Sequence, residues 1–141
     1  MTQPTATGDV FCRIIAGELP AAEVTRTPEL IAFLDHRPVF KGHVLIAPLT
    51  HVDTLLDLPS ELMAPMLTLA AGVAAALEAA VGAQGTFVAM NNVVSQSVPH
   101  LHLHVVPRSK GDGLRGFFWP RTKYADGEID DYAERIRAAL P

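Results

Sequence analysis

The chain has 141 residues, with 11 Lys and Arg against 15 Asp and Glu, a formal charge of −4, six His and one Cys. That length supports one domain with a real core, and 49% hydrophobic against 18% charged residues excludes disorder as the main state. The lone cysteine excludes an internal disulfide and the opening residues lack the basic and apolar blocks of a signal peptide, so a reducing, cytoplasmic setting is expected; net acidity argues against a nucleic-acid polymer as partner.

Residues 1–8 read as a loose tail and 9–141 as a single domain. Apolar spacing over 11–17, closed by Gly17, predicts a short helix. Residues 22–26 and 29–35 read as strands split by Thr27-Pro28, and 43–48 as a third strand stopped by Pro48. From 59 to 81 the spacing turns helical, with Ser60-Glu61 at the start, Pro65 near the first turn and Gly82 at the end. Its uncharged stretch, 62–77, is too short and too interrupted to cross a bilayer, so no membrane is expected. Strands over 86–91 and 98–106 follow, joined by 92–97. A short amphipathic helix over 130–140 is the last element, with Ile129, Tyr132, Ala133 and Ile136 on one face. The expected class is α+β, with a five-stranded antiparallel sheet, one long helix and one or two short ones.

The chemistry concentrates in His100-Leu101-His102-Leu103-His104-Val105-Val106. Side chains alternate along a strand, so His100, His102 and His104 share one side while Leu101, Leu103 and Val105 enter the core on the other. Such a row is an exposed polar face, a set of metal ligands, or a catalytic group in which one imidazole attacks and its neighbours donate to developing charge. Ser95, Gln96 and Ser97 precede it with donors. Five basic residues (Arg108, Lys110, Arg115, Arg121, Lys123) and one acid (Asp112) follow it, a local +4 that fits phosphate better than a bare metal cage.

With these residues in view, the chain resembles the histidine triad (HIT) nucleotide hydrolases and transferases, whose signature is His-φ-His-φ-His-φ-φ with φ apolar. The resemblance extends to residues 11–20, to Ala32-Phe33-Leu34-Asp35, to residues 42–48 and to Gln96-Ser97-Val98. It implies the HIT fold and a purine-nucleotide site in which His102 attacks the α-phosphorus to give a nucleotidyl-histidine that water then hydrolyses. It assigns His100 and His104 to orienting the nucleophile and stabilising phosphate oxygens, Ser97 and Gln96 to further donors, and His43 to a fourth site histidine. Asp35 matches a carboxylate for the ribose hydroxyls, Asn91 an asparagine near ribose and phosphates, and Phe11, Ile14, Leu19, Phe33 and Leu34 an apolar pocket for the base.

Some relatives hold zinc through Cys-x-x-Cys; here Asp9-Val10-Phe11-Cys12 lacks the first thiol, so neither metal nor cofactor is expected. Pro107-Arg108 with Gly111-Asp112 is closer to the dinucleoside-polyphosphate-cleaving branch, and residues 11–20 are shared with the phosphoramidase branch. The aromatics of 116–120 line the site or cover a partner subunit, and a homodimer is the expected assembly. Two other readings are a nucleotide-sensing interaction protein with vestigial catalysis and a zinc-dependent hydrolase built on the three histidines.

Overall fold

A computed structural model describes residues 8–114 and 121–141. Helix α1 (Val10–Ile15) precedes strands β1 (Glu23–Arg26), β2 (Leu30–Leu34) and β3 (Val44–Pro48). A 3₁₀ turn (Leu55–Asp57) leads into the long helix α2 (Ser60–Val81), followed by β4 (Gly85–Ala89), β5 (Leu103–Arg108) and helix α3 (Glu128–Ala139). The five strands form one antiparallel sheet in the order β1-β2-β3-β5-β4, so the expected class and strand number hold.

Alternation divides the core between the two faces of the sheet. Leu30, Ala32, Val44, Ile46, Leu101, Leu103 and Val105 meet Met66, Ala70, Val73 and Leu77 of α2. Ile31, Phe33, Leu45 and Ala47 meet Phe11 of α1 on the opposite face. Burying each large apolar side chain contributes roughly 1.5–3 kcal/mol, so α2 is held by its buried stripe and α1 by Phe11 rather than by propensity. Helix α1 starts where Asp9 Oδ1 accepts the Cys12 amide at 2.8 Å, and the chain leaves it through Gly17 at φ +82°. At φ +102°, with Leu77 and Pro107 3.4 and 3.5 Å from the position a Cβ would take, Gly42 permits the close turn that delivers His43 to β3.

Several expectations need correction. Pro65 falls in the second turn of α2, so the helix forgoes one amide bond there. The 3₁₀ turn adds an element between β3 and α2 that periodicity does not signal; Thr54 and Asp57 cap it reciprocally. The last strand begins at Leu103, not 98, because the segment before it bends through turns. Helix α3 is amphipathic, yet Ile129, Tyr132 and Ile136 are exposed. Residues 115–120, and with them Arg115 and the expected aromatic cover, lie outside the described residues, as do 1–7 of the expected tail.

Candidate active site

The face of the sheet that carries α1 also carries a cavity of about 780 Å³, within the range of small-ligand sites. Phe11, Ile14, Leu19, Phe33 and Leu34 supply its apolar wall, with Asp35, Ser97, His102 and His104 at its polar end. Phe11 packs edge-on against Phe33 at 5.2 Å between ring centroids and against His102 at 4.8 Å, so one ring belongs to both wall and reacting end.

Backbone partners determine which nitrogen of each imidazole carries hydrogen. His102 Nδ1 lies 2.8 Å from the His100 carbonyl, which only accepts, so Nδ1 is the N–H and Nε2 keeps its lone pair. The Val39 amide donates to His43 Nδ1 at 3.1 Å, leaving Nε2–H of His43 to donate to His104 Nδ1 at 2.9 Å. His104 is then left with Nε2–H as its other donor. One ring therefore presents a nucleophilic lone pair and its neighbour a proton.

Burial lowers the basicity of all three rings. It pushes His102 below the usual histidine value against the pull of the His100 carbonyl, and His43 likewise against the pull of Asp35. Burial, with His102 and His43 adjacent, pushes His104 down to about 4. All three are neutral near pH 7, the state a nitrogen nucleophile requires. Asp35 accepts the Arg37 amide at 2.9 Å through Oδ1 and holds Oδ2 3.8 Å from His43 Nδ1.

Other sequence-expected residues stand elsewhere. The His100 ring is fully buried and outside the cavity: Nε2 donates to the Pro48 carbonyl at 2.8 Å and Nδ1 faces Cys12. Its link to the cavity is its carbonyl, which accepts from His102 Nδ1. Nor do the three triad rings converge on one point, which removes the geometric basis for a zinc hydrolase built on them. Gln96 holds its own loop, donating to the Asp53 carbonyl at 2.6 Å and accepting from Val93 at 2.9 Å. The Asn91 amide donates to the Ser95 carbonyl at 3.3 Å and is exposed. Val93 and Ser95 sit at φ +68° and +64°, so this loop holds left-handed backbone at a β-branched residue directly before the histidines. Among the described residues, the basic segment stands apart from the cavity. Arg108 donates to Asp112 at 2.6 and 3.0 Å, holding that carboxyl far below the usual range, and no described residue of the segment lines the cavity.

A second cluster, missed in the sequence, lies beside the first. Asp9, Cys12, His51 and His100 bring one donor atom each within 4.8 Å of one another, so loss of the first thiol does not empty this region of ligands. His51 and Asp9 carry no local signal of the association, because it is made between residues 39 and 88 positions apart.

The comparisons with known proteins agree with one another. A family model described as the HIT domain matches residues 16–111. An uncharacterized HIT-like protein of Mycobacterium tuberculosis is 41% identical over 107 residues, 74% of this chain and 74% of that protein. The adenosine 5'-monophosphoramidase of Schizosaccharomyces pombe is 31% identical over 133 residues, 93% of this chain and 97% of that protein. The crystal structure of a member of the HIT family from Bacillus subtilis is similar with a TM-score of 0.84 and 33% identity, covering 94% of this chain and 97% of that one.

Proposed function

The chain belongs to the HIT domain family, and from that premise we propose that it is a purine-nucleotide hydrolase that releases a nucleoside monophosphate from a substrate carrying an amine on its α-phosphate. The observation that carries this reading is His102, at the polar end of the cavity with Nδ1–H tied to the His100 carbonyl and Nε2 free to attack. Nε2 forms a bond to phosphorus as the bond to the leaving nitrogen breaks, giving a nucleotidyl-histidine; water then cleaves the N–P bond. His104 donates its remaining N–H to the phosphoryl group, held in that tautomer by His43, and Ser97 adds a hydroxyl at the mouth. Asp35 receives the ribose hydroxyls and Phe11, Ile14, Leu19, Phe33 and Leu34 the base.

The amine leaving group is favoured over a second nucleotide by the near full-length match to an adenosine 5'-monophosphoramidase. The reading includes a homodimer. Met63 and Leu67 on the outer side of α2 are 42% and 59% exposed, and Val88 on the edge strand β4 is 43% exposed, so apolar surface and unpaired backbone stand side by side. Intact mass of the purified protein mixed with adenosine phosphoramidate should show an acid-labile nucleotidyl adduct, and turnover surviving in His102→Ala would sink the covalent route.

A further inference from the structure

The cavity has one permanent positive charge on its lining. Among the described residues Arg37 is the only Lys or Arg that lines it, and the sequence carries neither type from 27 to 36 or from 42 to 107. His43, His102 and His104 are neutral near pH 7, so the protons they present carry no net charge with them. The Arg37 guanidinium is exposed at the rim and makes no ion pair or hydrogen bond with any described residue.

Its main chain, in contrast, is tied to the site. The Arg37 amide donates to Asp35 Oδ1 at 2.9 Å, Pro38 follows with its fixed φ, and the Val39 amide donates to His43 Nδ1 at 3.1 Å. A free guanidinium thus starts from a fixed root. Asp35 and Arg37 stand two residues apart without pairing: the carboxylate has ion contacts only to His36 Nδ1 at 4.0 Å and His43 Nδ1 at 3.8 Å. A carboxylate and a guanidinium that line one cavity unjoined suit a ligand that offers a hydroxyl to the first and an anion to the second.

We propose that Arg37, with His36 beside it, binds a phosphate carried on the 2'- or 3'-oxygen of the ribose, so that the site favours nucleoside 5'-phosphate derivatives with a second phosphate on the sugar. The inference rests on the nucleotide site proposed above. Asp35 Oδ1 accepts the Arg37 amide, and Oδ2 takes the one ribose hydroxyl that remains. A phosphate monoester carries about −1.5 to −2 near pH 7, and its oxygens match the planar fork of an arginine in two parallel hydrogen bonds. Without Arg37, the Asp35 carboxylate and the chain's net −4 disfavour the added charge. Arg37 is then a specificity-determining residue, and no bond breaks at it.

Calorimetry on the full chain tests this with adenosine 5'-monophosphate (AMP), adenosine 2',5'- and 3',5'-bisphosphate, and ADP, whose second phosphate extends from the first. One of the two bisphosphates should bind about 10-fold tighter than AMP, the gain from one charge-assisted pair. Arg37→Gln should remove that gain, and Arg37→Lys should keep part of it, because the charge stays and the fork is lost. Wild-type affinity for both bisphosphates no higher than for AMP would overturn the assignment, as would a gain that persists in Arg37→Gln. An Arg37-dependent gain for ADP alone would give the guanidinium to the leaving group, and an equal loss for AMP and bisphosphate in Arg37→Gln would give it to the α-phosphate; either overturns the sugar-phosphate site. Failure of all four nucleotides to bind would sink the nucleotide site and this assignment together, whereas AMP binding without a bisphosphate gain sinks the assignment alone.

Discussion

His43 Nε2 lies 2.9 Å from His104 Nδ1, and the Val39 amide on the far side of the His43 ring makes that contact directional. One backbone N–H thus determines, through two imidazoles, which proton reaches the cavity. Replacing His104 by Ala should lower kcat about 10²- to 10³-fold, the cost of one donor to developing negative charge. His43→Ala leaves His104 Nδ1 unpaired, a loss of about 1–3 kcal/mol, so a smaller fall of about 5- to 150-fold is expected. Single-turnover rates with adenosine phosphoramidate distinguish the two; equal losses would mean that His43 also touches substrate.

Acid should act on stability before it acts on the neutral enzyme's chemistry. His104 sits at about 4 in the fold against 6.5 unfolded, with His102, His43 and Asp35 as the titratable groups around it. A depressed histidine favours folding fully above the unfolded value, and that contribution is lost as pH falls from 6.5 toward the folded value. Melting temperature should therefore decline between pH 6.5 and about 4, and His104→Gln should flatten that part of the curve. A slope unchanged in the variant would assign the acid sensitivity elsewhere.

Asp35 offers a test of substrate orientation. Asp35→Asn should raise KM about 10- to 100-fold with little change in kcat, since a hydrogen bond to a charged group contributes roughly 1.5–3 kcal/mol. A 2',3'-dideoxy substrate should be insensitive to the same change. Loss of equal size with both substrates would remove the ribose from the account.

Phe11 is 5% exposed and joins the wall of the cavity to His102. Phe11→Ala should cost about 3–5 kcal/mol of unfolding free energy, read by urea denaturation, whereas Phe11→Leu should restore most of it. Substrate binding should weaken in the Leu variant as well, because an aliphatic chain offers no ring edge.

The dimer is addressed by Leu67→Glu and Val88→Lys, placed on exposed positions where a monomer would tolerate them. Sedimentation velocity should show half the wild-type mass for either variant. Wild-type mass equal to one chain would remove the dimer from the proposal.

The sequence disclosed those features that depend on periodicity. Leu101, Leu103 and Val105 do enter the α2 core, and the opposite face carries His102 and His104, because side-chain alternation is a property of extended backbone. It could not disclose where His100 points, since ring direction depends on a carbonyl at Pro48, 52 positions away. Nor does it disclose the partners that Gln96 and Arg108 take, the Asp53 carbonyl and the Asp112 carboxylate, because residue type alone does not name a partner. Asp9 reads as nothing more than a helix cap until the fold places His51 and His100 beside it.

The 61-residue separation of His43 and His104 also bears on folding. Strand β5 inserts between β3 and β4, so the chain must form α2 and return before these two rings can meet. Contacts of such sequence separation carry the largest loop-closure entropy and favour late formation. Recovery of turnover after dilution from denaturant is therefore a clock for the last step of folding, and it should lag the helical signal of α2.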